Sequence, residues 1–473
     1  MSAPIITVAQ MREWENTTWA TGRSQTDVIR RVGELVARRA LQLTRASDFI
    51  LILAGRGHNG DDARLSQTHL QERHAELLEV SDPTTAALAL EPLLKRRPAL
   101  IIDGLFGTGL NRPLDDAWVK LIRQINSAQR LVLAVDVPSG LNADTGAAQP
   151  AAINAAVTLT LGAVKRGLLA TNAAPHVGRL ELAADIGLTP CALTSDWQWT
   201  LPEDFAEFPP PRPVAGHKGT FGHLAIIAGS RGYHGAAVLA ARAAQRAQPG
   251  LITVLPQENV YPPVAAQLQS AMVQPWDEDL DLQHCSAVLI GPGLAAPDVP
   301  YSMRNLTHLL WRDSEQPVIV DATALDWLPP EDPVPESSVR VMMPHPGEAA
   351  RLLHATTTEV QADRPAALRE LSQRWGSCWV VLKGHQTLIG RATGEIFVNP
   401  SGNPHLAQGG SGDVLAGYLA GWLAQPARAA DALTAIRHAV WQHGAAADQL
   451  TARQANWVVE ELANQLGMIR ADD

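Results

Sequence analysis

"NPSGNPHLAQGGSGDVLAGYLAGWL", residues 399–423, is the stretch that decides how the second half of this chain folds. Val414, Leu415, Tyr418, Leu419, Trp422 and Leu423 recur at helical spacing, so a helix is expected to begin at or just before Asp413. Gly409, Gly410 and Gly412 stand directly ahead of it. The first amide N–H groups of a helix have no partner inside the helix and carry the positive end of its dipole. With no side chain in front of them, they form an anion site. Asp413 there is either a plain N-cap or a group that handles a proton on an atom attacking or leaving phosphorus. A cap needs no run of neighbouring glycines, which favours the second reading.

Outward from this stretch, apolar runs alternate with helical patterns, the signature of an α/β chain with parallel sheets. Strands are expected at Leu224–Ala228, Leu251–Leu255, Ala287–Ile290, Val318–Asp321, Val341–Met343 and Val380–Lys383. The loops that follow are again rich in glycine: "GSRGYHGAA" (229–237) and "GPGL" (291–294). "MPHPGEAARLL" (343–353) reads as a helix start, with Pro346 near the first position and Glu348 in the first turn. His345 just before it reads equally well as a satisfied core histidine or as a ligand contact. "VLKGHQT" (381–387) puts Lys383 at a strand end, suited to a nucleotide phosphate.

The first half has strand-like runs at Phe49–Ala54, Ala99–Asp103, Leu131–Asp136 and Ala156–Leu161. Ligands of open α/β sheets sit beyond such strand ends. "LILAGRGHNGDD" (51–62) spaces Gly55, Gly57 and Gly60 as in a dinucleotide-binding turn, with Glu79 where a ribose-binding acid belongs. That signal alone is weak. "DGLFGTGLNRP" (103–113) adds glycine amides and Arg112 for phosphate oxygens, and "DVPSGLNADTG" (136–146) puts a carboxylate at a strand end. Asn59, Asp103 and Ser139 offer hard oxygen ligands for a monovalent cation, although each alone reads as a turn-capping residue. The Pro-rich, aperiodic stretch 190–213 places a domain border close to residue 193, giving units 1–192 and 193–473.

Composition narrows the classes. A chain of 473 residues exceeds one core, so two or three domains are expected. A net charge of −10 argues against a general nucleic-acid binder, and no apolar run approaches the length of a membrane span. The N-terminus lacks the basic-then-apolar pattern of a signal peptide. Cys191, Cys285 and Cys378 are too few and scattered for a disulfide framework or metal knuckle, so three reduced buried thiols in a cytoplasmic protein are expected. Small-molecule substrates and a homo-oligomeric assembly complete this reading.

The first unit resembles the NAD(P)H-hydrate epimerase (YjeF N-terminal) family, whose opening loop runs G-x-G-N-N-G-G-D-G. The resemblance implies a Rossmann-like three-layer fold that binds the hydrated cofactor NAD(P)HX rather than using NAD for hydride transfer. It implies potassium on Asn59, Asp103 and Ser139. It also implies substrate contacts from His58, Asn59, Gly60, Asp61, Asp62, Gly107, Thr108, Gly109, Leu110, Asn111, Arg112, Pro113 and Asp136, with Asp136 as acid/base. His58, Asp61 and Ala63 depart from the loop pattern, standing for Asn, Gly and Gly. Asp61 places a second carboxylate beside Asp62, so Asp61→Gly is expected to improve hydrate binding and epimerisation.

The second unit resembles the ADP-dependent NAD(P)H-hydrate dehydratase (YjeF C-terminal) family, which has the ribokinase-like fold. "HKGTFGHLAIIAGS", "GPGL", "PHPGEAARL", "VLKG" and "GGSGDVLAG" match in order across residues 216–420. The resemblance implies Asp413 as the catalytic residue. Gly412 and the loop Lys383, Gly384, His385, Gln386 and Thr387 would hold the adenine nucleotide. Ala236, Gly293 and His345 would line the NAD(P)HX site together with Asp413. ADP as co-substrate and Mg²⁺ follow. Gln248 and Pro249 stand where the family favours Gly and Ala. The alternative is a ribokinase-like small-molecule kinase fused to a non-catalytic nucleotide-binding Rossmann-like module.

Overall fold

The computed structural model describes residues 2–110, 112–331, 334–335 and 338–469. The chain divides into two compact units, Ala3–Asp196 and a second made of Trp197 onward together with Ser2. Each is an α/β layered structure around a mainly or wholly parallel sheet.

In the first unit the helices are α1 (Val8–Ala20), α2 (Gln25–Leu43), α3 (His58–Ser66), α4 (Pro83–Lys95) and α5 (Asp116–Ser127). The strands are β1 (Phe49–Ala54), β2 (His74–Glu79), β3 (Leu100–Gly104), β4 (Leu131–Val135), β5 (Val157–Leu161) and β6 (Arg179–Ala183). They pair in the order β2-β1-β3-β4-β5-β6, all parallel. The four expected strands are the central ones, buried on both faces and therefore written as continuous apolar runs. The two that sequence reading missed, β2 and β6, are the edges, where polar residues interrupt the pattern. Apolar clusters fill both faces, with Val32, Val36 and Ala40 of α2 on one side and Leu90, Leu121, Ile122 and Ile125 on the other.

In the second unit the strands are β7 (Trp197–Trp199), β8 (His223–Ile227), β9 (Leu251–Leu255), β10 (Met272–Val273), β11 (Ala287–Ile290), β12 (Val318–Val320), β13 (Arg340–Met342), β14 (Trp379–Leu382), β15 (Leu388–Gly390) and β16 (Ile396–Val398). They run β7-β16-β15-β14-β13-β12-β11-β8-β9-β10. All neighbours are parallel except β14/β15 and β15/β16, a short antiparallel excursion. The six expected strands are β8, β9 and β11 to β14, two with identical bounds and four displaced by about a residue. The helices that matter for the site are α6 (His234–Ala247), α7 (Tyr301–Asp313), α8 (Pro346–Leu353), α9 (Arg364–Arg374), α10 (Ser411–Leu423) and α11 (Ala432–Arg453).

Helix α10 is buried nearly all round, and it lies almost in backbone contact with α6. A Cβ on Gly417 would fall 2.0 Å from the Ala240 carbonyl oxygen, and one on Gly421 would fall 2.8 Å from that of Ala244. Both pairs advance in the same direction, so the two helices run parallel with their N-termini side by side. Gln248, at the end of α6, has the left-handed φ of +60° that glycine adopts freely. Its departure from the family pattern is thus a local backbone cost far from the helix start.

Among the described residues, no helix is long and apolar enough to cross a membrane.

Candidate functional site

In the second unit, helix α10 begins at Ser411, two residues before Asp413. Gly410, with φ +96°, is the N-cap and supplies no side-chain hydrogen bond to the helix start. Asp413 is therefore not the cap; it stands at the third helical position with its carboxylate uncommitted to the backbone. Helix α6 likewise starts from Tyr233 without a side-chain cap. Two parallel N-termini without side-chain caps stand side by side with their dipoles aligned at one end of the unit, although Ser411 N–H donates to the Gln408 carbonyl at 3.3 Å and Ala236 N–H to that of Tyr233 at 3.3 Å. By the pairing of Gly417 with Ala240, Asp413 lies level with Ala236 at that end.

Gly293 completes this corner. A Cβ on it would lie 2.8 Å from the Ala236 Cβ, and the two loops are stapled by the Ser230 hydroxyl, which donates to the Gly293 carbonyl at 2.7 Å and accepts from Ala296 N–H at 3.1 Å. The structure thus brings together Asp413, Gly412, Ala236 and Gly293.

Beneath the start of α10 sits a charged group that sequence reading only half found. Lys383 Nζ lies 2.5 Å from Asp321 Oδ1 and 3.9 Å from Glu348 Oε2, and a Cβ on Gly412 would fall 3.5 Å from Lys383 Nζ and 3.9 Å from Asp321 Oδ2. Burial works against the Lys383 ammonium, but the carboxylates of Asp321, Glu348 and Asp413 outweigh it and raise its pKa. Asp413 responds in the opposite sense to the usual carboxylate. Burial first, then the charges of Asp321 and Glu348, push it up to about 7, with Lys383 pulling the other way. Asp321 follows β12 at its carboxyl end, 62 residues from Lys383, and only the fold pairs them.

The other expected residues take defined places. His345 caps α8: its Nδ1 accepts from Gly347 N–H (3.0 Å) and Glu348 N–H (3.2 Å), while Glu348 accepts from His345 N–H at 2.8 Å. It is neither a core histidine nor fully committed, since its side chain is 53% exposed. The loop of Gly384, His385, Gln386 and Thr387 is held by Arg364 of α9, which donates to the carbonyls of Leu382 (3.1 Å), His385 (2.5 Å) and Gln386 (3.3 Å). Burial lowers the Arg364 pKa to about 10, so it is present as a cation. Nothing in the local sequence marked Arg364 for this task.

In the first unit, residues 58–62 are not a loop. Gly57 is the N-cap and His58, Asn59, Gly60, Asp61 and Asp62 form the opening turns of α3. Gly60 is required by packing, because a Cβ there would fall 2.0 Å from the Gly55 carbonyl oxygen. Two of the glycines in this spacing thus let the helix close on the strand end. Glu79 is not a free ribose acid: Arg64 engages both its oxygens, at 2.6 and 2.7 Å. The same guanidinium holds Asp61 at 2.5 Å, so Asp61 is neutralised within its own helix by a partner that sequence reading did not name.

That pairing revises the expectation for Asp61. Asp61→Gly removes a carboxylate already paired at a largely accessible position, a change worth about 0–1 kcal/mol. R-to-S interconversion by this variant is expected to stay within about fivefold of the parent at low and high salt. A larger gain at low salt would show that Asp61 faces the bound pyrophosphate.

Asn59 and Ser139 both bond the Phe106 backbone, and Ser139 carries the network on to Asp103. Ser139 Oγ donates to Asp103 Oδ1 (2.6 Å) and accepts from Phe106 N–H (2.8 Å), while Asn59 Nδ2 donates to the Phe106 carbonyl (2.9 Å). Asp103 is fully buried, and burial pushes its pKa to about 6 against the hydrogen bonds from Ser139. Gly107 lies directly over Asn59, with Thr108, Gly109 and Leu110 continuing the same loop; Arg112 and Pro113 are exposed. Asn111 lies outside the described residues.

Asp136 follows β4 with a φ of +64°, a conformation that Asp tolerates better than most residues. Its carboxylate accepts from Lys165 Nζ at 2.5 Å and from Leu161 N–H at 3.0 Å. Lys165 is fully buried and donates also to the Leu161 carbonyl at 2.7 Å. Burial, followed by the charges of Asp136, Asp61 and Glu15, holds Asp62 well above the usual carboxylate range. Glu15 is raised as well, by burial and then by Asp136, while Lys165 and His58 pull it down. Lys165 and Glu15 thus join His58, Asp62 and Asp136 in one electrostatic group, and neither was legible from its sequence neighbours.

Comparison with known proteins finds relatives for both units. A family described as NAD(P)H-hydrate dehydratase matches residues 224–468, and one described as YjeF-related protein N-terminus matches residues 66–167. The bifunctional NAD(P)H-hydrate repair enzyme of Gloeobacter violaceus is 32% identical, covering 98% of this chain and 97% of its own. That of Escherichia coli is 35% identical over 85% of this chain and 81% of its own. Among solved structures, a ribokinase-like superfamily protein from Enterococcus faecalis superposes with a TM-score of 0.50 at 26% identity, covering 59% of this chain and 97% of its own. The chain belongs to the family of bifunctional NAD(P)H-hydrate repair enzymes.

Proposed function

We propose that the second unit dehydrates S-NAD(P)HX at the expense of ADP and that the first interconverts the R and S hydrates. The observation that carries the first half is Asp413: a carboxyl with a pKa near 7, freed from capping, beside two uncapped helix N-termini. Hydroxide is a poor leaving group, and converting it to a phosphate ester makes elimination feasible. Asp413 takes the proton from the substrate hydroxyl as its oxygen attacks the β-phosphoryl group of ADP. AMP leaves; loss of phosphate from the ester, together with a proton from the neighbouring ring carbon, then restores the nicotinamide ring double bond, giving NAD(P)H. The backbone N–H at Gly412, in the first turn of the helix, receives a phosphate oxygen.

Asp321, Glu348 and Asp413 set three carboxylates against one ammonium, a negative field suited to Mg²⁺ brought in with the nucleotide. When bound, that ion screens the phosphate charge. Lys383 holds Asp321 in place and keeps the field from closing the site to ADP. The Lys383–Thr387 loop, fixed by Arg364, borders the nucleotide, and Ala236, Gly293 and His345 border the hydrate.

In the first unit, Asp136 exchanges the proton that accompanies inversion at the hydrated carbon, with Lys165 fixing its carboxylate. Asn59, Asp103 and Ser139 are a hard-oxygen donor set suited to potassium, and among the described residues the fully buried Asp103 carboxylate accepts only from Leu105 N–H and from Ser139 N–H and hydroxyl. Hydrate is therefore expected to bind the full-length protein several-fold more tightly in potassium than in sodium at matched ionic strength, because the ion stabilises only the ordered site. Equal affinities in the two salts, measured by calorimetry, would remove the cation from this reading.

One assay tests the whole: purified protein with mixed R and S hydrate, with and without ADP. Complete conversion to NAD(P)H that depends on ADP and releases AMP is expected. A requirement for ATP with a stable phosphate ester as product would indicate a small-molecule kinase instead.

A further inference from the structure

At the end of the second unit's sheet where β8 and β11 begin, remote from the strand end that carries Lys383 and from the helix start that carries Asp413, three side chains meet that the reaction does not use. His223 opens β8; His284 and Cys285 lie in the turn that leads into β11. One donor atom from each lies within 4.8 Å of the others. We propose that His223, His284 and Cys285 form a binding site for a thiophilic divalent cation of the Zn²⁺ class.

The donor set is the first argument. Two imidazoles and a thiolate are the ligands that borderline-soft metals select, and hard ions such as Mg²⁺ avoid them. Zinc takes nitrogen at about 2.0–2.1 Å and sulfur at about 2.3 Å, so ligand atoms in a tetrahedral shell stand roughly 3.3–3.9 Å apart. Closing from 4.8 Å takes a shift of about an ångström. His284 is exposed and sits in a turn, so the shift falls on the member freest to make it.

The surroundings are the second argument. His223 is held through Nε2 by the Thr253 hydroxyl at 2.7 Å, the kind of outer hydrogen bond that fixes the ring and tautomer of metal-ligating histidines. The Cys285 backbone is fixed on the other side, its carbonyl accepting from Gln316 Nε2 at 2.6 Å. Burial first, then the Asp281 charge, pushes the Cys285 thiol up to about 11, so an incoming ion has to displace the thiol proton as it binds. The exposed face at His284 leaves room for a water as fourth ligand, and the site's remoteness from Asp413 makes the ion structural. It would tie the turn before β11 to the first residue of β8.

Sequence reading dismissed the cysteines as too scattered for a metal knuckle. That holds for cysteines alone, but the pattern here is His-Cys plus a histidine 61 residues upstream, joined only because β8 and β11 are neighbours.

The test titrates zinc into metal-free full-length protein in competition with a chromophoric chelator. One ion per chain with a dissociation constant below about a micromolar is expected, with a melting temperature raised by the ion. His284→Ala, exposed and thus compatible with folding, is expected to weaken binding by at least tenfold and abolish the thermal shift. Cys285→Ser is expected to do the same. ADP-dependent turnover is expected to be unchanged in His284→Ala, which keeps this test separate from the dehydratase assignment. Binding weaker than about ten micromolar, or a loss of less than tenfold in His284→Ala, would overturn the site.

Discussion

Asp413→Asn is expected to lower ADP-dependent recovery of NAD(P)H by at least about a hundredfold, the scale of a lost general base, while nucleotide still binds. The amide fills the same space, and the backbone N–H groups that meet the phosphates are untouched. The pH profile gives a sharper test. A base works deprotonated, so parental kcat/KM is expected to rise with pH through about 7 and level off above it. The residual rate of the variant is expected to lack that inflection. Stability is expected to move the other way. The folded state holds the Asp413 proton more tightly than the unfolded chain, so protonation stabilises the protein fully below about pH 4, and that contribution is lost as pH rises through about 7. Asparagine stays neutral throughout, so at pH 8 the variant is expected to melt at a higher temperature than the parent. A variant with near-parental turnover would end the assignment of Asp413 as base.

Lys165→Met is expected to have the largest effect on the first unit. Lys165 is fully buried, and its ammonium faces Asp136, Thr160 and the Leu161 carbonyl. Removing one member of a buried ion pair leaves the other charge uncompensated and costs about 3–5 kcal/mol. The liberated Asp136 would also face Asp62 and Glu15, both already raised by burial and then by the charge of Asp136 itself. The expected result is a denaturation transition of the first unit at clearly lower denaturant, together with loss of R-to-S interconversion by about a hundredfold or more. Conversion of the pure S hydrate with ADP is expected to continue. Interconversion at parental rates in Lys165→Met would show that the Asp136 carboxylate needs no fixed partner.

What the sequence made legible follows from range. The buried central strands were legible because parallel strands covered on both faces are written as unbroken apolar runs. The edges β2 and β6, and the short antiparallel pair β15 and β16, carried no such signal. Asp136, Asp413 and the glycine loops were legible because strand ends and helix starts are marked by local residue choice. Asp321, Arg364, Lys165 and Arg64 act through partners distant in sequence or through a turn of helix, and burial rather than motif gives them their roles. Asp321 offered one clue, a carboxylate closing the apolar run "VIV". Asp61 is the converse case: its charge looks unfavourable beside Asp62 until the fold sets Arg64, three residues ahead, against it.

The near-contact of α10 with α6 has a consequence for how this site can diverge. Because Gly417 and Ala240 leave no slack between the two backbones, the peptide that presents Asp413 and the one that presents Ala236 move as a single lever. Drift in the flanking loops can retune which hydrate is held, yet positions 417 and 421 are closed to any larger side chain. Diversity in such a lineage is therefore confined to the rim, and the hinge of the machine stays frozen.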